Sequence, residues 1–221
     1  MRRRPTQELL DTDSGTPSEV AASFRDLRWF NRWFGGISTA VRLVEIAAGD
    51  EKRLSVLDIA AGDGFLPKTV REHLRHLSLD LTLLDRALSH LRTNGATRSV
   101  CADALALPFR SSSFDLVSSS LFLHHLAPEQ VVAFARESLR VCRIAVLIHD
   151  LIRHPLHLAF AYAGMPLYRS RVTRHDAPAS VHQAYTVDEM RSLLQKTGAS
   201  RVETFRNYFF RMGAIAWKAR Q

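Results

Sequence analysis

The amino-acid sequence predicts an α/β fold built on a mostly parallel, doubly wound sheet. An apolar run at 54–60 passes directly into a turn of small residues at 60–64 and then into helical periodicity, which is the order of a strand, a turn and a helix. Further strand-like runs at 79–85, 98–104 and 144–150 alternate with helical stretches. Alternating strands and helices favour parallel pairing, because each return of the chain across the sheet uses a helix.

Length and composition fit one such domain. The chain has 221 residues, of which 46% are hydrophobic, enough for a full core. No apolar run approaches the ~18–20 residues of a membrane span, and the arginines at the start are not followed by the apolar stretch of a signal peptide. We therefore expect no transmembrane segment and a cytoplasmic location. Cys101 and Cys142 do not form a Cys-x-x-Cys pair, so neither a disulfide nor a zinc framework is expected.

The formal charge is +8, with 30 Lys and Arg against 22 Asp and Glu. The arginines are scattered along the chain, and only the stretch 28–34 interleaves them with aromatic residues. Nucleic-acid-binding proteins usually gather their basic residues on one face. The pattern therefore predicts no nucleic-acid partner, while attraction to an anionic small substrate or a membrane surface stays open.

Two helices are predicted before the first strand. Thr16 and Glu19 have the spacing of a capping box, so a helix begins there and runs over 17–34. A second helix follows over 37–48. Residues 1–15 are expected to be extended or mobile.

The first strand ends on a carboxylate, Asp58, and the turn after it contains Ala60, Gly62 and Gly64. Ligands of parallel α/β sheets bind beyond the carboxyl ends of the strands, where small residues let them approach the backbone. A dinucleotide site favours a third glycine, but this chain continues to Pro67. Asp58 would repel a pyrophosphate and attract an ammonium group.

Two more acids follow strand-like segments. Asp85 lies 21 residues after Gly64, at the end of the run 79–85, where a carboxylate can accept hydrogen bonds from both ribose hydroxyls. A short helix is predicted to follow it, from Arg86 to Leu91. Asp103 comes at the end of the third strand-like run.

The segment 107–126 contains a fourth strand and ends in two adjacent histidines, His124 and His125. Neutral imidazole is a competent base near pH 7, so a histidine at the end of a central strand is a candidate for proton transfer. Capping of the next helix or packing in a wall is the alternative for either histidine. Phe122 lies just before this pair.

The remaining elements complete the predicted sheet. A helix is expected over 128–141, and Thr186 with Glu189 forms a second capping box, opening a helix to about 196. The ranges 200–209 and 212–219 are predicted to form a pair of strands.

The acids and glycines, in this order, resemble a known family. Asp58-x-Ala60-x-Gly62-x-Gly64, then Asp85, Asp103 and the FDLV strand at 114–117, are similar to the motifs of class I S-adenosylmethionine-dependent methyltransferases of the small-molecule type. The sequence resembles the quinone-biosynthesis branch and, more weakly, methyltransferases associated with polyketide and phenolic-lipid pathways. Two positions depart from the family pattern: Ala60 replaces the first glycine, and Cys142-Arg143 replaces a Gly-Gly turn.

This resemblance implies a Rossmann-like seven-stranded sheet with an antiparallel last strand, preceded by an N-terminal helical cap. It divides the chain into a tail and cap at 1–49 and a cofactor-binding domain at 50–221. Within the domain, an insertion at about 151–185 would build the acceptor pocket. This insertion is expected to contain a helix at 155–166 and then a basic loop with Arg169, Arg171 and Arg174.

S-adenosylmethionine is the implied cofactor, and the implied activity is methyl transfer to a small-molecule acceptor, with O-methylation of a phenolic, quinone or polyketide-type compound preferred. His125 or His124 is the expected base. No metal is expected, because clustered acids at the acceptor site are not evident. The expected cofactor-binding residues are Asp58, Ala60, Gly62, Gly64, Asp85, Arg86, Asp103 and Ala104, and the expected substrate-binding residues are Trp29, Phe34, Phe122, His149 and His175.

Three alternatives remain at this point. They are a nucleic-acid methyltransferase, an NAD-dependent oxidoreductase and a catalytically silent module that binds S-adenosylmethionine. The LFLHH sequence after the fourth strand differs from the Asn/Asp-Pro-Pro-Tyr/Phe of adenine methylases. Neither the acceptor nor the oligomeric state is indicated by the sequence.

Overall fold

A computed structural model describes residues 1–12, 14–91 and 97–219. Its centre is a seven-stranded sheet in the order β3-β2-β1-β4-β5-β7-β6. Strand β7 runs antiparallel to both of its neighbours, and the remaining pairs are parallel. The predicted sheet and its antiparallel last strand are confirmed. The strands are β1 Arg53–Ile59, β2 Ser78–Asp85, β3 Arg98–Cys101, β4 Phe114–Ser120, β5 Cys142–Leu151, β6 Arg201–Asn207 and β7 Arg211–Trp217.

Seven α-helices lie in the described part of the chain, and three short 3-10 turns accompany them. No described helix combines the length and the apolar character needed to cross a membrane. The helices are α1 Pro17–Trp33, α2 Gly36–Ala48, α3 Phe65–His73, α4 Pro128–Val141, α5 Pro155–Ala163, α6 Arg171–Gln183 and α7 Val187–Leu194, and the 3-10 turns are Leu10–Thr12, Leu123–His125 and Met165–Leu167.

Both predicted capping boxes form. The Glu19 N–H donates to Thr16 Oγ1 at 3.3 Å, and the Thr16 N–H donates to Glu19 Oε2 at 2.9 Å. Thr186 and Glu189 make the same reciprocal pair at 3.2 and 2.8 Å. Each box satisfies amide groups that a helix start leaves without partners, which fixes where α1 and α7 begin.

The sheet is covered on both faces by apolar side chains. One face packs on α4 and α7 around Phe134 and Met190, and the other packs on α2 and α3 around Leu43 and Val70. Helix α1 instead packs against α6, above the carboxyl ends of the parallel strands. The wall above the ligand-binding edge is therefore built from the first helix and from a helix of the segment between β5 and α7.

Two local predictions are wrong. Residues 86–91 form a turn instead of a helix, and Asp85 Oδ1 accepts the Ala87 N–H at 2.9 Å, a side-chain bond that competes with helix formation. The expected basic loop is largely helical, because α6 begins at Arg171. Ser170 caps it, with its Oγ accepting the Val172 N–H at 3.1 Å.

The N-terminal residues are also ordered by contacts, contrary to the expectation of a mobile tail. We call residues 3–12 the N-terminal strap. Asp176 of α6 accepts the backbone N–H groups of Leu9 and Leu10 at 2.8 and 3.1 Å. Arg3 Nε donates to the Gln183 carbonyl at 2.6 Å. These contacts hold the strap across the carboxyl edge of the sheet.

Candidate active site

A cavity of about 1260 Å³ opens at the carboxyl edge of the parallel strands. It is bordered by the ends of β1, β2 and β4, by the strap, and by helices α1, α5 and α6. Typical pockets for one small molecule measure about 300–1,000 Å³. The volume is therefore large enough for two small molecules side by side.

The turn after β1 enters this cavity in a left-handed conformation. Ala60, Gly62 and Gly64 have φ angles of +57°, +54° and +70°. A Cβ atom at Gly64 would lie 2.5 Å from Leu83 Cδ1, so glycine allows α3 to start close to β2. Ala60 adopts a conformation that costs a non-glycine residue about 1–2 kcal/mol, which accounts physically for glycine as the usual residue there.

Asp58 is buried beneath the turn, at the wall of the cavity. Ser118 Oγ donates to its Oδ1 at 2.5 Å. Burial raises the pKa of Asp58 to about 7, and the nearby charge of Asp85 adds to the rise, while the Ser118 bond opposes it. A carboxyl group in this environment gains from a cationic ligand, because a positive charge stabilises its ionised form.

Asp85 lies at the end of the neighbouring strand. Its Oδ2 accepts the Gly62 N–H at 2.8 Å, which ties the end of β2 to the turn. A carboxylate has about four lone-pair sites, so acceptor capacity remains for a ligand. Arg86 and Asp103 also line the cavity, and Asp103 Oδ1 accepts the Leu105 N–H at 2.9 Å.

His124 is held in a buried ion network. Its Nδ1 lies 2.6 Å from Asp150 Oδ1, and its Nε2 lies 3.5 Å from Glu8 Oε1. Burial lowers the pKa of His124, but the charges and hydrogen bonds of Asp150 and Glu8 outweigh burial and raise it well above its ordinary value. His124 is therefore a cation at neutral pH, which argues against a role as general base.

His125 also lines the cavity, and it shares Glu8 with His124 but has Asp11 as a further partner. Its Nδ1 lies 2.8 Å from Asp11 Oδ2, and the Arg86 guanidinium holds the Asp11 carbonyl at 3.3 Å. With the proton on Nδ1, Nε2 keeps its lone pair, and the nearest carboxylate oxygen, Glu8 Oε2, lies 4.0 Å away, beyond hydrogen-bond distance. A carboxylate that fixes the tautomer and orientation of an imidazole in this way is typical of histidines that act as bases.

The cavity wall opposite the acids is aromatic. Trp29 and Phe34 of the first helix region pack with ring centroids 5.1 Å apart, and Phe34 meets Phe209 at 5.1 Å. Phe122 also lines the cavity, beside the histidine pair. One side of the cavity is thus rich in carboxylates and the other in flat apolar rings.

Residues 57–147 match the family model described as a methyltransferase domain. They run from β1 to β5 and contain all three strand-end acids. By this match, residues 57–147 form a methyltransferase domain, and the sheet around them has the class I fold. A curated demethylmenaquinone methyltransferase of Renibacterium salmoninarum is 36% identical over 145 residues, which are 58% of this chain and 55% of that protein. The chain therefore spans about half the length of this curated relative.

Solved structures show the same fold. The plantazolicin methyltransferase BpumL, in complex with a triazolic desmethylPZN analog and SAH, is 15% identical with a TM-score of 0.68, over 96% of this chain and 95% of that one. The plantazolicin methyltransferase BamL is 19% identical with a TM-score of 0.61, over 88% and 74%. At these identities the likeness concerns the fold alone.

S-adenosylmethionine is the cofactor of this family, and the donor set of the cavity fits it. Asp58 suits the ammonium group, Asp85 the ribose hydroxyls and Asp103 the adenine amino group. A Cβ atom at Gly62 would lie 3.0 Å from Phe24 Cε1, so only a small residue keeps the turn close to the cap. Of the expected cofactor residues, Asp58, Ala60, Gly62, Asp85, Arg86, Asp103 and Ala104 line the cavity.

Gly64 differs from this set, because it is not among the residues that line the cavity. Its glycine has a packing role, the close approach of α3 to Leu83, and its expected role in binding the cofactor stays a prediction. Glycine is needed here for packing and for its positive φ angle.

Two expected substrate-binding residues lie elsewhere. His149 is buried beside Leu147 in a separate small cavity of about 30 Å³, and burial lowers its pKa to about 3. His175 has a side chain that is 45% exposed, and its Nδ1 lies 2.8 Å from Asp176 Oδ1. Neither histidine lines the large cavity, so neither is placed to bind an acceptor there.

Carboxylates that are far from the histidine pair in the sequence lie beside it in the structure. Among the described residues, the ligand atoms of Glu8, His124 and His125 lie within 4.8 Å of one another, a spacing that a metal ion can bridge. These groups already satisfy each other, because Glu8 Oε1 also accepts from Ser180 Oγ at 2.6 Å and Gln183 Nε2 at 2.7 Å. We interpret the cluster as an ion network, and the absence of a metal stays a prediction.

Several residues of the site were not predicted. Glu8 and Asp11 come from the segment expected to be mobile, and Phe209, Phe210 and Arg211 come from the hairpin between β6 and β7. Their roles depend on which distant segments the fold brings together. The one available sequence signal was the aromatic cluster YFF at 208–210, which is unusual in a tight turn.

Proposed function

We propose that the protein transfers a methyl group from S-adenosylmethionine to a hydroxyl oxygen of an aromatic small molecule, of phenolic, quinone or polyketide type. One observation carries the proposal. A single cavity joins the carboxylates at the ends of β1 and β2 to an aromatic wall, with His125 lining the space. Such a cavity can hold a cationic donor and a flat acceptor together.

The acid side of the cavity holds the donor in this proposal. When bound, S-adenosylmethionine supplies a methyl group activated by a sulfonium. Asp58 and Asp85 orient the molecule through its ammonium and ribose, and the strap and α1 exclude water from above. Alignment and desolvation are the main contributions the protein makes, because the leaving group is already good.

His125 accepts the proton of the acceptor hydroxyl. A phenol has a pKa of about 10 by analogy with tyrosine, so it is largely protonated at neutral pH. Asp11 orients the His125 imidazole at 2.8 Å. His124 acts as a positioning residue, since its backbone N–H donates to Asp150 at 3.0 Å and anchors the turn that presents His125.

The relatives support a small acceptor without agreeing on one. The curated relative is named for demethylmenaquinone, and the structural neighbours are named for plantazolicin. Transfer to oxygen is our proposal, and it rests on the base at His125 and the aromatic wall.

The test is turnover of a library of phenols and hydroxyquinones, detected as released S-adenosylhomocysteine. In the variant His125→Asn, turnover should fall by about 10²–10⁴-fold, the usual contribution of a general base. The affinity for S-adenosylhomocysteine should stay within about twofold. The exposed His76→Asn is the matched control and should keep full turnover.

Two outcomes would overturn these assignments. Full turnover in His125→Asn would show that another group takes the proton. Methylation at nitrogen or carbon alone, across the whole library, would reject transfer to oxygen and leave the methyltransferase domain intact.

A further inference from the structure

Arg211 is the first residue of β7 and is only 4% exposed. Its Nε–H donates to the Phe34 carbonyl at 3.1 Å, but its Nη1 is buried without a hydrogen-bond partner among the described residues. Among the described residues, the guanidinium forms no ion pair with a carboxylate. A buried cation without a counter-ion is costly, so such an arrangement usually reflects a missing partner.

The guanidinium stays charged in this environment. Burial lowers the pKa of Arg211 to about 10, and the nearby Asp150 opposes the change. Asp150 itself does not neutralise Arg211, because its carboxylate is committed to His124 at 2.6 Å. A full positive charge therefore stands in the cavity wall at neutral pH.

The surroundings of Arg211 are aromatic. Phe209 and Phe210, the two residues before it, have φ angles of +51° and +57°, which are unfavourable for bulky side chains. His157 stacks on Phe210 with centroids 5.1 Å apart and an interplanar angle of 10°, and Phe160 lies 6.2 Å from Phe210. Strained backbone of this kind is typical of functional sites, and here it places two rings beside the cation.

Arg211 lies on the acceptor side of the cavity. Strand β7 is separated from β1 by β4 and β5, so three strand spacings, or about 14 Å, lie between Arg211 and the cofactor turn. In the β5–β7 ladder Arg211 is opposite Leu151, where the acceptor-pocket segment begins. The methionine carboxylate of the cofactor belongs near the turn after β1, which favours the acceptor as the source of the missing anion.

We propose that Arg211 binds a carboxylate of the acceptor, so that the substrate is an aromatic acid whose ring lies among Phe34, Phe209 and Phe210. This inference rests on the proposed function and narrows its substrate class. Arginine suits the task because its planar guanidinium can pair with both carboxylate oxygens.

The test compares two probes that differ in one charge. The binding of 6-hydroxy-2-naphthoate and of the neutral 6-hydroxy-2-naphthalenemethanol is measured by calorimetry in the presence of saturating S-adenosylhomocysteine. Wild type should bind the acid at least about 10-fold more tightly, as expected for one charge-assisted pair. Arg211→Met should abolish this preference, and Arg211→Lys should keep part of it.

Arg206→Met on the neighbouring strand is the matched control, because this arginine is exposed and should leave the preference unchanged. The affinity for S-adenosylhomocysteine, measured first in every variant, reports both folding and the cofactor site. If Arg211→Met weakens the binding of S-adenosylhomocysteine and keeps the preference for the acid, Arg211 binds the carboxylate of the cofactor and the inference is wrong.

A wild type that binds S-adenosylhomocysteine but does not prefer the acid, or does not bind it, also overturns the inference. A wild type that does not bind S-adenosylhomocysteine contradicts the proposed function itself, so the two failures are distinguishable.

Discussion

Replacing Asp58 by Asn should make the ligand-free protein more stable. Asp58 is buried, and its folded-state pKa is about 7 against an ordinary 3.8 in the unfolded chain. The folded state therefore holds a proton that the unfolded state releases, and the stability linked to this proton is lost as the pH rises from about 4 through 7. Asn is neutral at every pH and can still accept the hydrogen bond of Ser118.

The magnitude follows from the shift. At about 1.4 kcal/mol per pKa unit, the change from 3.8 to about 7 corresponds to an upper bound of about 4 kcal/mol above pH 7. For a chain of this length, each kcal/mol moves the melting temperature by about 2–4 °C. The gain in Asp58→Asn should be smallest near pH 4, grow up to pH 7 and then stay constant.

The assay is urea unfolding of the ligand-free protein between pH 4.5 and 8.5, with the exposed Asp50→Asn as control. The same variant should bind S-adenosylhomocysteine at least about 10-fold more weakly, because the ammonium loses its ionic partner. Loss of stability in Asp58→Asn at pH 8.5, or a gain that falls with rising pH, would refute the reasoning.

Three other predictions concern the same edge of the sheet. Asp103→Asn should weaken the binding of S-adenosylhomocysteine, measured by calorimetry, less than Asp85→Asn does, because Asp103 is exposed and Asp85 is buried. Equal losses of affinity in the two variants would contradict this ranking. Glu8→Gln should lower the free energy of unfolding by about 1–3 kcal/mol at pH 7, because His124 loses an ionic partner. The control Glu45→Gln, on the exposed face of α2, should change this free energy little. An unchanged free energy of unfolding in Glu8→Gln would mean that the Glu8–His124 pair does not hold the strap. Dialysis against EDTA should leave turnover unchanged, and restoration of a lost activity by a divalent metal would reassign the Glu8 and histidine cluster as a metal site.

The acid side of the site was predictable because its geometry is local. Each of Asp58, Asp85 and Asp103 follows a strand-like run, and parallel strands bring their carboxyl ends to one edge whatever the rest of the chain does. The capping boxes at Thr16 and Thr186 are local as well, since a few consecutive residues supply every partner.

The acceptor side was not predictable from such patterns. The chain has 26 arginines, and Arg211 differs from the others by a buried Nη1 that has no hydrogen-bond partner among the described residues. This burial depends on the β6–β7 hairpin reaching α1. Glu8 meets His124 across 116 positions of sequence, through a strap that Asp176 holds in place. His149 has the sequence context of a site residue, but its side chain points to the other side of the strand from that of Asp150 and lines a second, small cavity.

Calorimetric titration of the wild type with S-adenosylhomocysteine is the most direct test of the cofactor site. The structure predicts saturable binding at one site per chain, strong weakening in Asp85→Asn, and no binding of NADH. Absence of binding in the wild type, or the same affinity in Asp85→Asn, would contradict the assignment of this cavity to the methyl donor.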